Sequence, residues 1–220
     1  MLDLYSHVKM QAMQTTRPHI LYAFLLASVG SVLLWSGLEP KDRLTWFLEV
    51  APVLIVLPLL LWTWKSFPFT PLAYTLMAVH AVILMVGGHY TYAEVPLFDW
   101  IRDDLGLARN HYDRLGHLAQ GFIPAIVARE ILLRRSPLKP GAWLFYLVTS
   151  VCLAFSAFYE MIEWWVAVAS GDEAVAFLGT QGDVWDTQWD MFMALVGAVS
   201  SQLLLRRWHD RQLLALSAES

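Results

Sequence analysis

In the second half of this chain, acidic side chains and a histidine fall inside or at the ends of three apolar segments. Asp113 and His117 open one segment, Glu160 and Glu163 interrupt the next, and Asp183, Asp186 and Asp190 lead into the last. Ionisable groups beside hydrocarbon are costly, so they face a protein interior, pair with one another and mark functional sites. Their spacing suits helices, in which residues three or four apart share a face. Asp113 and His117 are four apart, and Gln120 continues their stripe. Glu160 and Glu163 are three apart, with Ser156 a turn earlier; Asp183, Asp186 and Asp190 are separated by three and four, with Gly197 two turns on. Three carboxylate-bearing faces at one place repel, and a low dielectric enlarges the effect. A bound cation, protonation or a neighbouring arginine must compensate. An oxygen-rich donor set suits Mg, Mn or Ca, and a histidine among the donors shifts the balance toward Mn, Fe or Zn. The expected cofactor is therefore a divalent ion such as Mg, Mn or Zn. Asp113, Glu160, Asp186 and Asp190 are the expected ligands, with His117 and Glu163 as acid/base groups. The sequence shows no serine or cysteine nucleophile at recognisable spacing from a base, no phosphate-cradling glycine loop, no His-Glu-x-x-His and no Glu-x-x-His pair.

The elements that must hold these groups follow from composition. The chain is 57% hydrophobic and only 15% charged, with eleven Trp and eight Tyr, which sets it outside the ordinary soluble class. A net charge of -4 with no basic run argues against a nucleic-acid partner. A single cysteine, Cys152, rules out an intrachain disulfide framework and reads as a small packing residue. Six segments approach the ~20 apolar residues a spanning helix needs: 19–36, 46–64, 71–92, 113–133, 142–168 and 188–205. The expected fold is all-α, a polytopic membrane helix bundle of about six transmembrane helices forming one domain over 1–220. Pro96-Leu97-Phe98-Asp99-Trp100 reads as the start of a short helix lying on the bilayer, and Gly171, Gly179 and Gly182 break the loop before the last segment.

Lys and Arg set the orientation. With the N-terminus in the cytoplasm, the inner side holds Lys9, Arg17, Lys65, Arg129, Arg134, Arg135, Lys139, Arg206, Arg207 and Arg211. The outer side holds Lys41, Arg43, Arg102, Arg109 and Arg114, a bias of ten to five that puts both termini inside. Alternation of the spans then gathers the acidic residues and His117 at one face, the outer one.

Structural roles compete with each of these readings. Asp113, Asp183 and Asp186 suit helix starts, and Glu160 and Glu163 could mark a helix leaving the membrane. His80, in the third segment, reads as a hydrogen-bonded packing residue. His7, His19 and His209 read as solvated membrane-edge residues, and Trp164, Trp165, Trp185 and Trp189 as an interfacial belt.

Three stretches carry a family resemblance. They are Asp113-Arg114-Leu115-Gly116-His117-Leu118-Ala119-Gln120-Gly121-Phe122, then Phe155-Ser156-Ala157-Phe158-Tyr159-Glu160 with Glu163-Trp164-Trp165, and Gly179-Thr180-Gln181-Gly182-Asp183-Val184-Trp185-Asp186-Thr187-Gln188-Trp189-Asp190. In these the chain resembles the YjdF family of bacterial inner-membrane proteins. That resemblance implies a polytopic protein of the bacterial inner membrane and carries no catalytic assignment. A looser similarity of layout to VanZ-like membrane proteins involves Asp113, His117, Glu160 and Asp190 and implies a cell-envelope role. The chain departs from that layout at Met191-Phe192-Met193-Ala194, which supplies no polar amide before Gly197.

Three functions fit the residues. A metal-assisted enzyme at the outer face, acting on a lipid-linked or envelope substrate, ranks first. A non-catalytic scaffold or partner-binding bundle, its acids neutralised by Arg109 and Arg114, is close behind. A proton or ion transporter ranks third, because the inner halves of the last three segments, such as 123–128, are mostly apolar.

Overall fold

The computed structural model describes residues 2–170 and 180–219, with side chains described at 19–169 and 180–218. The expected breaks at Gly171 and Gly179 lie outside the described residues. Among those described, the chain is helical throughout, with no strand. The helices are α1 (Leu2–Gly37), α2 (Arg43–Thr63), α3 (Pro71–His89), α4 (Pro96–Leu105), α5 (Tyr112–Arg135), α6 (Ala142–Ser170) and α7 (Asp186–Glu219). All but α4 are long, and together they make a polytopic membrane helix bundle. By length and composition, His19–Gly37 of α1, α2, α3 and Ala142–Ala169 of α6 can cross a membrane. At 24 and 34 residues, α5 and α7 are also long enough, but both carry many charged groups. Those charges are tolerable because many face each other instead of lipid.

Two helices outrun the expected spans. The first begins at Leu2 instead of near residue 19, and the last continues past 205 to Glu219. A helix satisfies its own backbone hydrogen bonds, so it need not stop where the apolar run does. The expected surface helix is present as α4, which ends at Gly106 in the left-handed region (φ 61°). Leu97 and Trp100 of α4 are exposed, as an interfacial helix requires.

Local chemistry fixes the helix starts. Asp42 caps α2 by accepting from the Thr45 N–H at 2.6 Å. Thr70 caps α3, with Pro71 as its first residue. Asn110, fully buried, accepts from the Tyr112 N–H at 3.0 Å and donates to the Val95 carbonyl at 3.1 Å and Asp99 at 2.9 Å. Its backbone N–H and carbonyl pair with the Gln181 side chain, each at 2.9 Å. One residue therefore ties α4 and the start of α5 through its side chain and the turn before α7 through its backbone.

The closest packing is between α5 and α7. A Cβ on Gly121 would lie 1.8 Å from the Ala194 carbonyl oxygen, and one on Gly197 would lie 2.2 Å from that of Leu118. Only glycine permits this backbone approach, the small-residue device of membrane helix pairs. Around it, Ala125, Leu144, Val148, Cys152 and Ala198 form a buried core, which gives Cys152 the packing role expected of it.

A second polar cluster pins the other end of the bundle. Glu130 is fully buried and accepts from the Thr70 N–H at 3.1 Å, the Thr70 hydroxyl at 2.8 Å and Arg134 at 2.7 Å. His209 is fully buried too, which overturns its reading as a solvated edge residue. Arg129 donates to His209 Nδ1 at 2.9 Å, so Nε2 carries the proton and donates to Glu130 at 3.0 Å. Because α7 continues past the apolar run, His209 reaches α5, and the pairing lets both be buried.

Candidate functional site

The crossing at Gly121 and Gly197 sets Asp113 and His117 of α5 opposite Asp190 of α7, with Glu160 and Glu163 of α6 closing the third side. Asp113, His117, Glu160, Glu163, Asp186 and Asp190 are all buried. The structure thus brings together all six residues singled out from the sequence, in two sub-clusters.

The first sub-cluster is an arginine–aspartate network. Arg109 Nη1 donates to Asp186 Oδ1 at 2.5 Å, and its Nη2 donates to Asp113 Oδ2 at 3.3 Å. Arg114 Nη2 donates to the same Asp186 oxygen at 2.6 Å and to Asp183 Oδ2 at 3.2 Å. Its Nη1 donates to Asp190 Oδ1 and lies 3.4 Å from Asp113 Oδ2. Two guanidiniums therefore bind and orient four aspartates, offsetting half of their charge. Counted from sequence as outer-face charges, they are inside the site. Nearby, His111 at the start of α5 is held below the usual imidazole range, mainly by burial and also by Arg109 and Arg114.

The second sub-cluster surrounds His117. Its Nδ1 lies 3.0 Å from Gln120 Oε1, so Nδ1 carries a proton and donates. Nε2 then faces Asp113 Oδ1 at 3.4 Å, Asp190 Oδ1 at 3.7 Å and Glu160 Oε1 at 3.8 Å. These separations exceed ordinary hydrogen-bond lengths. Glu160 Oε1 is buried with no hydrogen-bond partner. Among the described ion pairs, none brings an arginine to Glu160 or Glu163. Ligand atoms of Asp113, His117 and Asp190 lie within 4.8 Å of one another, and so do those of His117, Glu160 and Glu163. By contrast, Asp186 Oδ1 is shared by two guanidiniums, which makes Asp186 the least available of the expected ligands.

The His117 cluster opens onto a large apolar cleft of about 1060 Å³. The cleft is walled by α1, α2, α3, α5 and α6, and its polar end carries Glu49, Tyr92, Asp113, His117, Tyr159 and Glu163. The Tyr159 hydroxyl donates to Glu49 Oε2 at 2.9 Å, joining α6 to α2 across that end. Farther down, His80 lines the cleft with Nε2 lacking a hydrogen-bond partner, so it is not the satisfied packing residue expected. Glu49, Tyr159, Asn110 and Glu130 were not among the expected site residues. Of these, Glu49 carried the readable signal, an acid within the apolar second segment. The exposed rings of Trp164, Trp165, Trp185 and Trp189 agree with an interfacial belt.

Fold and site together define a multi-pass membrane protein with a buried acid–histidine centre at one end of its bundle. The chain belongs to the DUF2238 family of predicted membrane proteins, which matches residues 21–211. It is 52% identical over 200 residues to inner membrane protein YjdF of Escherichia coli (strain K12), covering 91% of this chain and 95% of that relative. No solved structure matches the chain. The expected family is thereby shown, and the chain is a multi-pass inner-membrane protein.

Proposed function

We propose that the His117 cluster is a metal-assisted site at the outer face of the inner membrane, acting on a lipid-linked or other envelope substrate. The observation that carries this reading is His117 Nε2, facing three carboxylate oxygens at 3.4 to 3.8 Å with its other nitrogen committed to Gln120. A tetrahedral ion with bonds of about 2.1 Å separates its donors by roughly 3.4 Å. Asp113, His117 and Asp190 offer one donor set and His117, Glu160 and Glu163 a second, and the first is the set proposed to hold the ion. In this reading Gln120, Arg109 and Arg114 orient the ligands from outside, the arrangement that fixes ligand geometry in metal sites. Two carboxylates and one imidazole favour Mn or Zn over Mg. The ion would polarise a substrate oxygen or lower the pKa of a water. His117 moves from acid/base group to ligand, while Glu163 remains the acid/base group, adjacent to Glu160 and without an arginine. Asp186 moves from ligand to arginine partner.

Elemental analysis of the purified protein beside Asp190→Asn, His117→Ala and Glu163→Gln tests this. One ion per chain is expected in the parent and in Glu163→Gln, with loss in the other two. No metal, with thermal stability unmoved by divalent salts, returns the site to a non-catalytic scaffold. The arginine–aspartate network is the observation that favours that second reading.

A further inference from the structure

We propose that Glu160 and Glu163 hold a second, exchangeable divalent cation next to the first, making the site a two-ion centre. This rests on the metal reading above, because it starts from what one ion at Asp113, His117 and Asp190 leaves uncompensated.

The charge at this end does not balance with one ion. Arg109 and Arg114 contact Asp113, Asp183, Asp186 and Asp190 and offset half of their charge. A divalent ion at Asp113, His117 and Asp190 offsets the other half. Glu160 and Glu163 remain, and they are only 7% and 8% exposed. Two uncompensated carboxylates this deep are costly. One further divalent ion offsets both.

Two oxygens on the same side are also left without a partner. Glu160 Oε1 is buried, accepts no hydrogen bond and lies 3.8 Å from His117 Nε2. Ser156 Oγ, one turn earlier on that face of α6, is fully buried and equally unpartnered. Buried polar atoms are seldom left so. An ion on Glu160, with a water on Ser156, satisfies the two together.

The donors left over define what kind of ion this is. Donor atoms of His117, Glu160 and Glu163 lie within 4.8 Å of one another. His117 has one nitrogen to give, since Nδ1 is committed to Gln120 at 3.0 Å, and the first ion takes it. The second ion is left with two carboxylates and no nitrogen. That set suits Mg or Mn, which keep several waters when one or two carboxylates bind them. So few protein ligands make this ion the easier of the two to remove. Glu163 lines the cleft, so the watered side of the ion opens there. In two-ion centres the cations sit about 3.5–4 Å apart and clamp the attacking and leaving oxygens between them. With the second ion bound, Glu163 is a ligand, and solvent between the ions takes the acid/base part.

Equilibrium dialysis against Mn(II), followed by elemental analysis, tests this on the purified parent. After desalting the parent is expected to keep one ion, and after dialysis against excess Mn(II) to hold two. Mg(II) should displace only the second. Glu160→Gln and Glu163→Gln should each stop at one ion, while Asp103→Asn, an exposed acid on α4, should still reach two. Anomalous scattering from parent crystals grown with Mn(II) needs no variant, so misfolding of either glutamine variant leaves a decisive result. It should show a peak between Glu160 and Glu163. One ion at saturating Mn(II), a second ion retained by both glutamine variants, or a second peak elsewhere overturns the inference and leaves the metal reading standing. No ion under any condition removes both.

Discussion

At the scale of single residues, Arg114 decides how the acids are held. Its side chain is 11% exposed and serves Asp113, Asp183, Asp186 and Asp190. Removing one partner from a buried ionic network leaves charge uncompensated, at a cost of about 3–5 kcal/mol. Arg114→Gln is therefore expected to lower the melting temperature sharply in detergent. Acidification should recover part of the loss, since protonated aspartates no longer need the guanidinium. A melting temperature within a degree of the parent would mean that Arg109 alone suffices. Replacing Arg114 together with Asp186 should cost less than the sum of the single changes, because the two share a bond of 2.6 Å.

At the scale of elements, the site depends on one helix crossing. Asp113 and His117 can face Asp190 only because Gly121 and Gly197 let the two backbones touch. Gly121→Val has no room, since even its Cβ would meet the Ala194 carbonyl at 1.8 Å. It should push α5 from α7, lower thermal stability and widen the His117 cluster. A lower melting temperature in detergent would report the separation. Gly30→Ala in α1 is the control: nothing lies within 4 Å of its Cβ, so its stability should stay near the parent's. An unchanged melting temperature in Gly121→Val would show that the crossing tolerates a side chain.

At the scale of the whole molecule, the bundle is polar at both ends and apolar between. The Glu130–His209 cluster locks one end, the acid–histidine centre occupies the other, and the cleft rises between them. The Lys and Arg bias predicts a cytoplasmic position for the locked end. A phosphatase fused after Ser220 should therefore be inactive and a cytoplasmic fluorescent reporter there bright; the opposite pattern would invert the protein and move the site to the inner face. Much of this arrangement was legible in the chain. The apolar spans and the shared faces of Asp113 with His117 and Glu160 with Glu163 follow from local periodicity and hydropathy, which sequence carries directly, whereas the outer limits of the first and last helices do not. The partners did not follow. That Arg109 and Arg114 could neutralise acids was readable, but which acids was not: Asp186 went to both arginines, His209 was buried on Glu130, and His80 was left facing the cleft. Such pairings join residues tens of positions apart, as with Arg114 and Asp190, 76 apart, or Glu130 and His209, 79 apart. They depend on which helix faces meet and how closely, and that is set by packing at contacts such as Gly121 on Ala194. Sequence by itself determined which groups had to be hidden from lipid; the tertiary structure decided what each one was hidden against.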